Sequence, residues 1–337
     1  MISAAFFGSS AETILKRSSV NGKGVVGKVQ FFMGQTDSLS AWLVAHDSLP
    51  GSVTTNVPVA RRIIFLSEPP DIKFYHPSFL SQFGIVAGPR IPTAYGGSFI
   101  LMQPAIPWFY GVDFTLPKDS IPFDDLIALK PSSKLNAVSV VISKKARTRE
   151  HRARLKLVDH LAEMLGDKLH IYGRDFKPIA DKRDAIDGYK YHLALENNVM
   201  PHFWTEKLAD AWLGWSLPFY AGCPNLCDYF PDTSYIRIDY DAPQRSAAVI
   251  ADAIESNAFE RALPAIETSR NLVLHEHSLL AASARLIKAC APHTLAPPLS
   301  EAEVLYPNTH FRWRKKWSKR IRSLRHFGHP AKSLPNL

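Results

Sequence analysis

At 337 residues the chain exceeds the ~250–300 at which a single core stops growing, so two domains are expected. A make-up of 46% hydrophobic and 21% charged residues argues against disorder, and no stretch approaches the ~18 consecutive apolar residues of a transmembrane helix. The formal charge of +9 sits in one place: residues 312–337 hold nine of the 40 Lys and Arg and no acid, leaving 31 bases against 31 acids elsewhere. A neutral body argues against a dedicated nucleic-acid protein, although a basic arm alone is able to hold nucleic acid non-specifically.

The N-terminal "MISAAFFGSSAETILKRSS" begins apolar, but no basic region precedes it and no long apolar core follows, so no signal peptide is expected. "GKGVVGKV" (22–29) fits G-x-G-x-x-G and nearly fits a phosphate-binding loop. Both motifs require a strand before the glycines and a helix after them; here strand-like "VQFFMG" follows, so the match is discounted. "SLPGSVTTNVPVA" reads as loop, and "ARRIIFLSEPP" as a buried strand ending in a Glu-Pro-Pro turn. "SIPFDDLIALKPSSK" reads as a linker.

Beyond it, strands and helices alternate. "NAVSVVIS", "KLHIYG", "YKYHLALEN", "SLPFYAG" and "YIRIDY" are strand-like. Helices are expected over 148–165, with Thr148 as N-cap and Gly166 as stop, over 205–215, and near 243–258 and 271–290. This alternation predicts a parallel sheet covered on both faces, in a two-domain α/β protein with a ligand cleft between the domains. Cys223 and Cys227 lack the second pair a zinc site needs, and three cysteines suit a reducing compartment. "DYD" (239–241) is too short to identify a metal site. The two histidines of "HEH" (275–277) fall two apart, off a shared helix face.

The chemically dense stretch is "YHLALENNVMPHFWTEKLADAWLGWSLPFYAGCPN" (191–225). A strand ends in Glu196-Asn197, and a helix opens at Thr205-Glu206-Lys207. Strand C-termini and the helix N-termini after them form the ligand crevice of open α/β sheets. The helix N-terminus with Lys207 suits a diphosphate, Glu206 suits a sugar diol, and Asn197 suits a hydroxyl. Thr205 equally suits a helix cap and Glu206 an ordinary first-turn acid.

Together, "YKYHLALENN…FWTEKLADAWLGWSLPFYAGCPN" resembles the signature of the glycosyltransferase family 10 fucosyltransferases, Y-K-F-x-L-x-F-E-N-S…D-Y-[IVW]-T-E-K…P-[IV]-x-x-G. "VSVVISKKARTREHRARLKLVDHL" and "KLHIYGR" extend the likeness over about residues 136–240, and "FLSEPP" is similar to the acceptor-domain element with the family's proposed base. The resemblance implies a GT-B fold, two Rossmann-like domains facing across a cleft: residues 1–130 for the acceptor, 131–300 for the GDP-sugar donor, then a basic amphipathic tail, 301–337. It implies an inverting transfer of L-fucose from GDP-β-L-fucose to an oligosaccharide hydroxyl, with GlcNAc- or Glc-containing acceptors and α-1,3 linkage favoured, and no metal or other cofactor required. Glu68 would be the base, with Arg154 and Lys207 on the leaving diphosphate. Tyr189, Glu196, Asn197, Phe203, Thr205 and Glu206 would line the nucleotide-sugar pocket. Asn198 replaces the usual Ser, Phe203 the usual Tyr, and Lys144 stands where Asn is common. The alternative is a GT-B enzyme using another nucleotide sugar.

In the tail, Phe311, Trp317, Ile321 and Leu324 keep helical spacing among Arg and Lys. That pattern fits a helix lying on an anionic membrane surface. A cytoplasmic protein held peripherally at the inner face of the membrane is the matching expectation, with a role in lipopolysaccharide biosynthesis or protein glycosylation and no nucleic-acid partner.

Overall fold

The computed structural model describes residues 1–8, 11–34, 40–69, 72–92, 95–113, 116, 120–146, 148–291 and 297–311. Of the tail expected over 301–337, residues 301–311 are described and 312–337 lie outside the described residues. Among those described, no helix is long and apolar enough to cross a membrane.

The first sheet is assembled from β1 (Ile2–Phe7), β2 (Val25–Val26), β3 (Val29–Met33), β4 (Trp42–His46), β6 (Arg62–Phe65), β7 (Ile85–Gly88) and β8 (Phe99–Leu101). β5 (Val53–Thr55) lies outside it. The order is β2-β3-β1-β4-β6-β7-β8, parallel throughout except for the β2–β3 hairpin. That hairpin contains the discounted "GKGVVGKV", with no helix for its glycines to open. β4 and β6 are buried at every position, as central strands covered on both faces must be. Alternation divides the side chains between two cores. Phe6, Val44, Ile63 and Phe65 point to one face; Phe7, Leu43, Ala45 and Ile64 to the other. Helices α1 (Ala11–Ser18) and α2 (Pro77–Leu80) accompany this half, whereas α3 (Phe123–Ala128) buries Phe123 and Leu126 in the core of the second sheet.

The second sheet follows the expected alternation: β9 (Leu135–Val141), α4 (Arg149–Leu165), β10 (Leu169–Tyr172), α5 (Arg183–Ile186), β11 (Tyr189–Leu195), α6 (Glu206–Leu213), β12 (Leu217–Ala221), β13 (Ile236–Arg237), α7 (Pro243–Glu255) and α8 (Ala258–His275). Its order is β10-β9-β11-β12-β13, all parallel. Thr148 caps α4, its hydroxyl accepting the His151 N–H at 3.2 Å, and Gly166 ends it. Two parallel α/β halves meeting at a cleft is the GT-B arrangement.

The helix expected near 271–290 is two helices. The chain breaks at 276–278, and α9 (Leu279–Cys290) starts on a Ser278 cap. α9 leaves the second half, in which residues up to 300 are expected from the sequence. Leu279, Leu280, Ala282, Leu286 and Ile287 pack on Phe6, Ile14, Phe31 and Val44 of the first sheet. β14 (Glu303–Leu305) then pairs antiparallel with β5, and Glu303 meets the buried Arg62 at 2.6 Å. An apolar stripe does not announce which sheet it will cover, so residue order alone does not reveal this return.

Candidate active site

In each sheet the strand order reverses at one point, and the loops leaving the C-terminal edge there part to opposite sides. In the second sheet the reversal falls between β9 and β11, in the first between β1 and β4. The residues just beyond β11 are Glu196 and Asn197; those at the end of β4 are His46 and Asp47. The two edges face one cleft of ≈ 420 Å³, lined by His46, Asp47, Ser67 and Glu68 from one half and by Asn197, Phe203, Thr205, Glu206 and Lys207 from the other. Trp108 and Phe109, in the segment crossing between the halves, complete the wall.

The cluster at the edge of the second sheet is built around a carboxylate that does not reach the cleft. Glu196 is fully buried. Its Oε1 accepts the Thr205 N–H and its Oε2 the Thr205 hydroxyl, both at 2.7 Å. Thr205 in turn caps α6, accepting the Lys207 N–H at 3.4 Å. The Lys207 ammonium donates to Thr205 Oγ1 at 3.2 Å and Glu206 Oε1 at 2.9 Å, and lies 3.6 Å from Glu196 Oε2. Strand end and helix start are thereby locked together, with the ammonium and the first turn of α6 at the cleft. Burial alone would lower Lys207, but the charges of Glu206 and Glu196 more than reverse it and hold the ammonium above its ordinary value. Burial alone would raise Glu206; Lys207 and Lys182 overcome it and bring the carboxylate down to about 2. Glu196, buried, is raised.

Two motif glycines have a steric reason. A Cβ on Gly222 would lie 2.5 Å from Glu196 Cγ, and one on Gly173, at φ +131°, would lie 1.9 Å from Ile142 O. The final Gly of "PFYAG" makes room for the buried Glu196, and that of "IYG" lets the turn after β10 press on the end of β9.

Arg154 projects from α4 beneath this cluster. It is 7% exposed, donates to Leu195 O at 3.3 Å, and its Nε has no partner among the described residues. Burial lowers it, though Tyr240, Glu196 and Glu206 pull the other way. It borders a small cavity of ≈ 20 Å³ with Lys182, His192 and Lys207, behind the main cleft. Asn197 Oδ1 is likewise buried and unpartnered at the cleft. Phe203 lines the cleft at 1% exposure.

Opposite stands Glu68. Burial, then the Asp47 charge, pushes its carboxyl above the usual range, while Lys207 across the cleft pulls it down. Glu68, Asn197, Phe203, Thr205, Glu206 and Lys207 are thus brought to one cleft; Glu196 and Arg154 stand directly behind it. Tyr189 is not brought there. It opens β11 at the opposite edge of the sheet, packed with Ala137 and Ala185, its hydroxyl 2.5 Å from that of Tyr172. A seven-residue strand separates residues that sequence adjacency places together by ~20 Å.

Among the cleft residues that went unread in the sequence are Thr13, Arg17, His46 and Asp47. "SSAETILKRSS" carries an S-x-x-E helix-start pattern, and apolar "AWLVA" before His-Asp signals a strand end. Arg17 is 3% exposed and donates to Gly111 O at 2.7 Å and to Tyr110 O, tying α1 to the crossing segment. Asp210 of α6 accepts the N–H groups of Phe109 and Tyr110, each at 2.8 Å, and pairs with Lys182 at 2.6 Å. Of the discounted motifs, Asp241 meets Arg149 at 3.5 Å on the surface, and His277 packs among Trp204, Tyr229 and Phe230.

Residues 131–258 match the family model described as glycosyltransferase family 10 (fucosyltransferase) C-term. The chain is similar to the 4-galactosyl-N-acetylglucosaminide 3-alpha-L-fucosyltransferase 9 of Bos taurus, 32% identical over 114 residues, 32% of this chain and 31% of the relative. The Homo sapiens enzyme of that name is 30% identical over the same shares. The matches thus span under a third of these relatives' length. A solved alpha1,3-fucosyltransferase with GDP-fucose is similar at 14% identity and TM-score 0.48, covering 89% of this chain and 93% of that one.

Proposed function

We propose that this chain, which belongs to glycosyltransferase family 10 through its C-terminal domain, transfers L-fucose from GDP-β-L-fucose to a glycan hydroxyl with inversion at the anomeric carbon. The observation that carries the reading is that Glu68 and Lys207 line one cleft from opposite sheets. An in-line displacement requires those two groups on opposite sides of the reacting carbon: one takes the acceptor's proton, the other meets the leaving group. The acceptor oxygen bonds to the anomeric carbon as its proton passes to Glu68, and the bond to GDP breaks with its electrons going to the diphosphate. Glu68, held above the ordinary carboxylate range, is the stronger base for it. The ammonium of Lys207 and the N-terminus of α6 stabilise the departing charge, with Arg154 behind them. The proposed reaction draws on these cations rather than on a metal. Asn197 Oδ1, buried without a partner, is available to a donor hydroxyl.

Calorimetric titration with GDP-fucose, GDP-mannose and UDP-galactose, each with and without EDTA, tests the donor. EDTA-insensitive binding of GDP-fucose that Lys207→Ala abolishes is expected; preference for another donor would move the function to a different GT-B transferase. The relatives' names make a 4-galactosyl-N-acetylglucosaminide the first acceptor to assay. With it, Glu68→Gln should lower kcat by about 10²–10⁴-fold and leave donor affinity unchanged.

A further inference from the structure

The chain at Asp47 is bent into a left-handed backbone, φ +66°, which Asp tolerates better than most residues. Its N–H donates to Phe65 O at 2.8 Å, so the bend is anchored on the strand that leads to Glu68. The carboxylate is fully engaged. Oδ1 accepts the hydroxyls of Ser67 and Tyr75, each at 2.5 Å, and Oδ2 accepts the Lys73 ammonium. Tyr75, 5% exposed, uses the same oxygen to accept the Glu68 N–H at 3.3 Å. One donor to Asp47 is therefore the residue before Glu68, and another holds the backbone of Glu68 itself.

We propose that Asp47 is the positioning residue of the cleft, fixing the Ser67–Glu68 backbone through two hydroxyls and placing a lasting negative charge beside the Glu68 carboxylate. The inference rests on the reading of Glu68 as the base. Asp47 is poorly placed to be that base itself, because three donors occupy its oxygens. Burial alone would raise its carboxyl, but Lys73, Ser67 and Tyr75 outweigh burial and keep it charged. Among the described residues, the groups facing Glu68 are Asp47, Lys73 and Tyr75 on its own side and Glu206 and Lys207 across the cleft, with His46 and Arg17 in the same wall. Lys207 opposes the charge of Asp47. Removing Asp47's charge leaves Lys207 less opposed, so Glu68 should become the weaker base.

Carbon-13 NMR of the labelled Glu68 carboxyl, assigned by its loss in Glu68→Gln, reads this without any acceptor. In Asp47→Asn the titration of Glu68 should fall by about one pH unit. Tyr75→Phe keeps the charge and breaks the bridge: the titration should stay within about 0.3 unit of the wild type. Its kcat should nonetheless drop ~10-fold at constant donor affinity. In the activity assay the acid limb of kcat/KM should move down with Glu68's titration in Asp47→Asn and stay put in Tyr75→Phe. An unmoved Glu68 titration in folded Asp47→Asn overturns the inference. If Asp47→Asn does not fold, undiminished kcat in Tyr75→Phe overturns it instead. Wild-type turnover in Glu68→Gln would overturn the base reading, and is distinguishable because the NMR arm reads the Asp47–Glu68 coupling regardless.

Discussion

The Glu196 carboxylate receives both the amide and the hydroxyl of Thr205, so a single buried side chain joins the end of β11 to the start of α6. Removing it strands a buried N–H, a hydroxyl and the Lys207 ammonium. Glu196→Ala should cost about 3–5 kcal/mol in urea denaturation, and Thr205→Val about 1–2 kcal/mol. GDP-fucose affinity should fall in both variants, because Lys207 loses its Glu196 neighbour in one and its Thr205 contact in the other.

Acid should act on the cluster through Glu206. Its folded carboxyl lies at about 2 against an ordinary 4.5, so its contribution is complete above pH ~4.5 and is lost as pH falls towards 2. Glu196, Asp210 and Glu68 are raised, so their contributions run the other way and fade as pH rises. The difference in unfolding free energy between wild type and Glu206→Gln isolates the first effect. It should shrink by at most about 3 kcal/mol between pH 4.5 and 2. A difference independent of pH in that window would mean that Lys207 and Lys182 do not hold Glu206 charged.

Asp210 holds the crossing segment through two amides, and Lys182 through its other oxygen. Asp210→Ala leaves all three without that acceptor and should cost about 3–5 kcal/mol. Asp210→Asn, which keeps one acceptor oxygen for the amides, should cost less. Equal losses would assign the stabilisation to the Lys182 pair alone.

Tyr189→Phe should leave GDP-fucose affinity unchanged while lowering stability by about 1 kcal/mol, the worth of its link to Tyr172. A fall in affinity would bring β11's first residue into donor recognition after all.

The second half was legible because strand-helix alternation with caps such as Thr148 and Thr205 is local chemistry, readable in a few residues. The family signature marked Asn197, Glu206 and Lys207, which do line the cleft, and Glu68 from the first half, which faces them. It did not separate residues that face the cleft from those that build it. Glu196 and Tyr189 share the motif but stand at opposite ends of β11, and only strand length places one behind the site and the other at the far edge. The first half was harder to read because its strands are short and buried along their whole length, as in β4, and so lack periodicity. Asp47 matters through partners 20, 26 and 28 residues away, beyond what spacing reveals.

The return of α9 means that, among the described residues, the polypeptide passes between the halves at two places, by residues 108–110 and again at 276–278. A single tether lets two bodies swivel freely, whereas two tethers leave a hinge whose axis runs through both crossing points. Motion of Glu68 relative to Lys207 should then run as opening and closing about that axis. A cross-link engineered at 276–278 should stiffen the cleft, whose wall Trp108 and Phe109 of the other crossing complete.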